Sequence, residues 1–137
     1  MLEMDPILHV VRQWVQKAEN DPTNAAHTLK LGKQSPTDTV CFHAQQCVEK
    51  YLKALLVAQE IDFGRTHSIS ALYVLVPARL CPDLSVQEQE LLTDYAVSTH
   101  YPGDYEAISL NQAKEAVKIA RRVRNQVRKH LPKASLR

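Results

Sequence analysis

The residues most suited to chemistry form a basic run, RRVRNQVRKHLP, at positions 121–132. Five of these side chains are cationic, and the run also contains a histidine. An arginine keeps its charge at physiological pH, whereas a histidine titrates near neutrality. Together they supply a charge stabiliser at phosphorus and a proton shuttle, the minimum for metal-free phosphodiester cleavage. Arg124 and His130 are therefore candidate catalytic residues, although the helix dipole alone also favours basic side chains at a helix end.

The spacing of Arg124 and His130 limits how they could share a site. On one ideal helix, six residues place two side chains roughly 120° apart, so they do not point at the same atom. A site within one chain would require the last helical turn to unwind before Pro132. A second subunit that completes the site is the more economical arrangement, and it predicts a homodimer.

A second set of polar residues lies along the string TVCFHAQQCVEKYLKALL, positions 39–56. Helical periodicity places them on neighbouring faces: His43, Gln46, Glu49, Lys50 and Lys53. One interpretation is a solvated face with an i,i+4 ion pair between Glu49 and Lys53. The other is a polar groove that binds an anionic ligand or a partner subunit.

Other clusters carry weaker signals. His43 and Cys47 are one helical turn apart, but no third ligand has matching spacing, so we expect no metal and no cofactor. His67 directly precedes a serine that caps a helix, which favours a structural role. His100 and Tyr101 follow the fourth helix and could stack on a base or ribose, or wedge the loop against the core.

The charge distribution is uneven, although the 137-residue chain has a net charge of only +2. Residues 114–137 contain nine basic groups and one acid, a net +8, whereas residues 1–113 have a net charge of −6. The basic segment would attract phosphate. Only three glycines are present, and no P-loop or GxGxxG string occurs, which argues against P-loop NTPases and dinucleotide-binding folds.

The elements that must position these residues are predicted to be helices, since β-branched alternation is nowhere sustained. Five helices are expected, over about residues 6–20 or 6–32, 38–59, 68–77, 85–95 and 109–132. Capping boxes at Ser85 and Ser109 mark the starts of the last two. The prediction is an all-α, five-helix bundle with an up-and-down core, one domain over residues 1–137, and a loose tail at 133–137.

Targeting signals are not recognised in the sequence. The longest apolar run is a few residues, so no membrane span is expected. The start, MLEMDPILHV, lacks a basic segment followed by an apolar one, and the three cysteines form no CxxC pair. These features predict a cytoplasmic protein with reduced thiols.

The stretch from Cys41 to Ala54 resembles the second-helix signature of HEPN domains (higher eukaryotes and prokaryotes nucleotide-binding). Other landmarks occur in the matching order: Trp14 in the first helix, Thr66-His67 opening the third, and Tyr101-Pro102-Gly103 before the fifth. The resemblance covers essentially the whole chain and is to the prokaryotic stand-alone type. It implies a compact helical bundle that usually dimerises.

The resemblance also implies two functions. Many prokaryotic members are encoded beside a minimal nucleotidyltransferase and act with it, some as toxin to its antitoxin, which predicts a nucleotide-binding or nucleotidyltransferase-partner module. Others are metal-independent ribonucleases with an Arg-x(4–6)-His motif, which Arg124 to His130 fits, with Asn125 in the polar slot. His130 would then assist attack by the RNA 2′-hydroxyl, and Arg124 would stabilise the transition state. Members of this type often have Arg-Tyr-Pro where this chain has His100-Tyr101-Pro102.

Overall fold

The computed structural model describes residues 5–97 and 107–137, and all regular structure within them is helical. This confirms the predicted all-α, five-helix architecture. The helices are α1 (Pro6–Leu29), α2 (Thr37–Ala58), α3 (Ile69–Tyr73), α4 (Val86–Val97) and α5 (Leu110–Arg128).

Helix α1 is continuous through its internal proline. The Asp5 side chain caps its start by accepting a hydrogen bond from the Ile7 N–H at 2.8 Å, and Pro6 occupies the first turn. Pro22 lies inside the helix, which runs on to Leu29. The sequence predicted an end near residue 20 or near residue 32, and the observed end at Leu29 is close to the longer alternative.

Helix α2 is the centre of the bundle, because each of the other four α-helices contacts it directly. Its predicted apolar stripe is buried, and Tyr51, Leu52, Leu55 and Leu56 are among the largest fully buried side chains. Burial extends around the helix and includes Gln45, a polar residue with no exposed surface. The helix therefore has much less solvated surface than an amphipathic surface helix.

Helix α5 packs its apolar stripe mainly against α2. The predicted capping box is present: Gln112 N–H donates to Ser109 Oγ at 3.0 Å, and Ser109 N–H donates to Gln112 Oε1 at 2.8 Å. The helix ends at Arg128, earlier than the predicted end at Pro132, and continues as a turn. In that turn the N–H groups of His130 and Leu131 donate to the carbonyls three residues earlier, those of Val127 and Arg128.

The segment after Pro132 differs from the loose tail expected from sequence. Residues Lys133–Leu136 form a 3-10 helix that packs on α1. Ser135 is buried, and its hydroxyl donates to the Pro132 carbonyl at 2.6 Å. Leu131 is also buried in the core, and Leu136 packs against it. Burial of Leu131 before Pro132 and partial burial of Leu136 after it stabilise the packing of this segment on the bundle. The short, mostly polar sequence did not predict this contribution.

Helices α3 and α4 are shorter than the other three. Ser68 caps α3 by accepting from the Ala71 N–H at 3.2 Å, but α3 ends at Tyr73 rather than near Pro77. The capping box at the start of α4 is present, with the Glu88 N–H donating to Ser85 Oγ at 3.1 Å.

Over the described residues, no helix has the length and apolar character needed to cross a membrane.

Candidate functional site

Arg124 projects from α5 onto Glu19 of α1. Its Nε donates to Glu19 Oε2 at 2.8 Å, and its Nη2 donates to Oε1 at 2.5 Å. This side-on pairing fixes the plane of the guanidinium. Nη1 is directed the other way, to Asn125 Oδ1 at 2.9 Å. The structure therefore brings together two of the three predicted catalytic residues and adds a carboxylate that sequence analysis missed.

Arg128, one turn further along α5, shares the same carboxylate. Its Nη1 donates to Glu19 Oε1 at 3.0 Å and contacts the Tyr51 hydroxyl at 3.2 Å. Glu19 thus faces two arginines, and its side chain is 30% exposed. Burial alone would raise the pKa of Glu19, but the hydrogen bonds from Arg124 and Tyr51 and the charges of both arginines outweigh it and lower the pKa. The same hydrogen bond to Glu19 raises the pKa of Arg124.

A cavity of about 450 Å³ opens beside this ion pair. Its walls come from α1 and α5 and consist of Glu19, Pro22, Thr23, Ala26, Arg121, Arg124 and Asn125. Arg121 is exposed, and no carboxylate within residues 5–97 or 107–137 forms an ion pair with it. Within the described chain, the cavity therefore has one cation without an ion-pair partner next to one that is already oriented.

His130 lies outside this cavity. It is exposed in the turn after α5, where its backbone N–H donates to the Val127 carbonyl at 2.9 Å. Its imidazole makes no hydrogen bond with any part of the chain that the structure describes. A site within one chain would need this turn to unwind, but it is closed by hydrogen bonds, and no contact links His130 to Arg124.

The polar side chains of α2 form hydrogen bonds and ion pairs with other side chains of the protein. Asp21 of α1 is only 4% exposed. His43 Nδ1 lies 2.9 Å from Asp21 Oδ1, and Lys50 Nζ donates to Oδ2 at 2.8 Å. The side chains of His43 and Lys50 are themselves 24% and 21% exposed. They form a partly buried network between α1 and α2.

A second network surrounds Glu49, which is also buried. Gln45 Nε2 donates to Glu49 Oε1 at 3.0 Å, and Lys53 Nζ donates to Oε2 at 3.2 Å. His67 Nδ1 lies 3.1 Å from the same carboxylate, and Gln46 donates to Gln45 at 2.7 Å. The predicted ion pair between Glu49 and Lys53 is confirmed, but the prediction that it is solvated is wrong.

Lys53 shows why this face is not an open groove. Its ammonium lies 5.3 Å from the Trp14 ring centroid and 5.7 Å from that of Phe63. At these distances a cation is attracted to the ring faces. Lys53 is therefore held by two aromatic rings as well as by a carboxylate, and little of its charge is available to a ligand.

Asp21 could have been recognised in the sequence as a buried partner. It lies three residues after Ala18 and four before Ala25, both of which are buried. A carboxylate on the buried stripe of a helix requires a compensating partner. No comparable signal exists for Glu19, which lies 105 residues before Arg124 in the chain.

The described residues support neither a metal cluster nor thiolate chemistry at the two buried cysteines. No group of three or more His, Cys, Asp and Glu side chains there is arranged to hold a metal ion. Burial raises the pKa of the Cys47 thiol well above its usual value, and burial raises that of Cys41 to about 11. Both thiols stay protonated at neutral pH. His100 and Tyr101 lie outside the described residues.

Comparison with known proteins places this helical arrangement in a family. A model of the HEPN domain family matches residues 11–130, which include α2, Glu19 and the Arg-x5-His segment. The chain belongs to the HEPN family. The crystal structure of an archaeal HEPN homologue is similar to this chain, with a TM-score of 0.69 and 30% sequence identity. The match covers 89% of this chain and 98% of the homologue's chain. No curated protein sequence matches the chain significantly.

Proposed function

We propose that this HEPN protein binds a phosphate of a nucleotide or of RNA in the cavity between α1 and α5. The observation that supports the proposal is the pairing, in one open cavity, of an unpaired arginine with an oriented one. Arg121 has no carboxylate partner in the described chain, and Arg124 is held by Glu19 beside the Asn125 amide.

The charge balance of the site favours an anion. Arg121, Arg124 and Arg128 contribute three positive charges around the single negative charge of Glu19. These three arginines lie in residues 114–137, the segment with a net charge of +8. A phosphate in the cavity would accept hydrogen bonds from Arg121 and from the Asn125 amide, while Glu19 holds Arg124 in place.

The polar face of α2 is a less suitable binding surface. Its candidate ligand residues are satisfied within the protein, through Asp21 for one network and Glu49 for the other. A ligand would have to replace those carboxylates, which are buried, at a large cost. A minimal nucleotidyltransferase partner, if it binds this protein, would on this proposal contact exposed surface rather than these side chains.

Calorimetric titration with uridine 5′-monophosphate (UMP) tests the proposal. Arg121→Gln should weaken binding about tenfold, because it removes a charge-assisted hydrogen bond of about 1.5 kcal/mol. Arg79→Gln is the matched control, since Arg79 is exposed and lies outside the cavity lining. Equal affinities for the two variants, or no binding to the unmodified protein, would refute the proposal.

A second candidate function is metal-independent RNA cleavage, which is supported by the exposed imidazole of His130, to which no described residue is hydrogen-bonded. Since no contact within the chain joins His130 to Arg124, this function requires a homodimer in which the histidine of one subunit approaches the arginine of the other. His130 would then assist the 2′-hydroxyl, and Arg124 would neutralise charge at phosphorus.

Incubation of single-stranded RNA with the protein in EDTA tests this second function. His130→Ala should abolish cleavage, and His9→Ala, which removes an exposed histidine of α1, should not. Arg124→Ala should also abolish cleavage, with folding checked by its melting temperature. Full cleavage by His130→Ala would exclude this histidine as the proton shuttle.

A further inference from the structure

A second cavity lies where the first half of α1 meets the segment after α2. It has a volume of about 530 Å³, and it shares no lining residue with the candidate phosphate site. Small-molecule sites are typically cavities of about 300–1,000 Å³ with mostly apolar walls and a few polar groups. The apolar walls of this cavity are formed by Ile7, Val10, Trp14, Val57, Ile61 and Phe63.

The charged groups in the lining of this cavity are two carboxylates, those of Glu60 and Asp62. Both residues are exposed. Neither side chain forms an ion pair or a hydrogen bond with any residue that the structure describes. The cavity therefore combines apolar walls with negative charge that no described cation neutralises, which suits a ligand with one apolar part and one cationic part.

The backbone holds Glu60 in a conformation that favours glycine. Its φ angle is 57°, in the left-handed region. The Glu60 N–H donates to the Val57 carbonyl at 3.0 Å, and the Ile61 N–H donates to the Leu56 carbonyl at 2.9 Å, which is the Schellman pattern at the end of α2. Glycine usually occupies this position, because a Cβ is strained there. The glutamate costs stability at this position and supplies a carboxylate to the cavity.

The cavity has a negative end and an aromatic end. Glu60 and Ile7 also line a neighbouring cavity at the start of α1, whereas Trp14 does not. Ile7 and Trp14 are seven residues apart, or about 10 Å along the helix axis. At the aromatic end, the rings of Trp14 and Phe63 meet edge to face, with their centroids 6.4 Å apart.

Two lysines decide which end of the cavity suits a cation. Lys53 Nζ lies 5.3 Å from the Trp14 ring centroid, and Lys17 Nζ lies 5.9 Å from it. Neither lysine lines the cavity, but both ammonium groups repel a further cation placed against this ring. The aromatic end therefore suits the apolar part of a ligand, and the carboxylate end suits its charge.

We propose that this cavity binds a small amphipathic amine. Its ammonium group lies at Glu60 and Asp62, and its aliphatic or aromatic body packs against Trp14 and Phe63. Aliphatic amines are protonated at neutral pH, as the lysine side chain is. This site is separate from the phosphate site between α1 and α5, so either proposal can fail without the other.

Fluorescence titration tests the proposal, because Trp14 is the single tryptophan of the chain and lines the cavity. Hexylamine, added at constant ionic strength, should change the Trp14 emission and saturate. Hexanol has the same chain without the charge and should bind about fivefold more weakly. Butylamine keeps the charge and should bind about tenfold more weakly, because its shorter chain buries less apolar surface.

Two variants of Glu60 separate its charge from its backbone strain. Glu60→Gln keeps the strain and should weaken hexylamine binding about fivefold. Glu60→Gly should weaken binding equally but raise the melting temperature by about 4 °C, because glycine adopts the left-handed conformation without strain. Glu90→Gln is the matched control, since Glu90 is an exposed glutamate of α4 outside the cavity lining, and it should bind hexylamine as tightly as the native protein.

Weaker binding by both Glu60 variants, with a higher melting temperature for Glu60→Gly, supports the proposal. Equal affinities for hexylamine and hexanol, or for Glu60→Gln and Glu90→Gln, overturn it, because the carboxylate would then make no contribution. A Trp14 emission that responds to none of the three ligands also overturns it. If that emission changes only with protein concentration, the cavity is a surface of self-association instead.

Discussion

Replacing Glu19 with glutamine is the most direct test of the tertiary contacts at the candidate site. The substitution keeps the shape of the side chain and removes its charge. In the native protein Glu19 accepts hydrogen bonds from Arg124 through Nε and Nη2, and from Arg128 through Nη1. Glutamine replaces one acceptor oxygen by an NH₂ donor and carries no charge, so two arginines lose their common counter-charge.

The size of the effect follows from the exposure of the pair. The side chains of Glu19 and Arg124 are each 30% exposed, and that of Arg128 is 24% exposed. Exposed ion pairs contribute about 0–1 kcal/mol, and breaking a buried pair costs about 3–5 kcal/mol. We expect Glu19→Gln to lower the free energy of unfolding by about 2 kcal/mol, or the melting temperature by roughly 7 °C.

The pH dependence has a definite sign. The pKa of Glu19 is lower in the folded protein than its usual 4.5. A group with a depressed folded pKa contributes stability above its unfolded pKa and loses it as the pH falls through the folded pKa. The stability difference between the native protein and Glu19→Gln should therefore be full at pH 7 and shrink steadily below about pH 4.5.

Urea denaturation at pH 7, and at several values between pH 5 and pH 3, measures both quantities. Glu115→Gln is the matched control, because Glu115 is an exposed glutamate of α5. We expect it to change stability by less than about 0.5 kcal/mol. The reasoning is refuted if Glu19→Gln is as stable as Glu115→Gln at pH 7, or if its deficit persists unchanged at pH 3.

Three further predictions concern the elements that position the site. Asp21→Asn should cost about 3 kcal/mol in urea denaturation, because it leaves a lysine without its buried carboxylate; Asp62→Asn, at an exposed aspartate, should cost less than about 0.5 kcal/mol. Ser109→Ala should lower the free energy of unfolding by about 1 kcal/mol, and an unchanged melting temperature would contradict the capping box. Leu52→Ala should cost about 2–5 kcal/mol through the cavity it leaves, far more than truncation of the 38% exposed Leu91.

Most of the fold could be predicted from local patterns. The capping boxes at Ser85 and Ser109 marked the starts of α4 and α5, and both form as hydrogen-bonded pairs. These signals work because the interacting residues are three positions apart, so the sequence spacing is also the spatial spacing. The end of α5 was predicted four residues too late because the proline that stops it acts one turn before its own position.

The candidate site was only partly predictable. The run of arginines and His130 was visible as composition, and the Arg-to-Asn adjacency at Arg124 forms a hydrogen bond. The polar residues of α2 were interpreted as a surface, because helical periodicity shows which residues share a face but not which other element packs against that face. That face packs against α1, whose Asp21 binds Lys50, and against the loop before α3, whose His67 lies beside Glu49.

The sequence by itself determined the helices, their caps, the apolar stripe of α2 and the concentration of positive charge after residue 114, since each depends on neighbours a few positions away. The tertiary structure decided which cations remain free. Glu19 approaches Arg124 across 105 residues, and Asp21 approaches Lys50 across 29. Such pairs form only when helices pack. Among the described residues, a charge that looks available in the sequence is neutralised at Lys50, whereas Arg121 has no carboxylate partner.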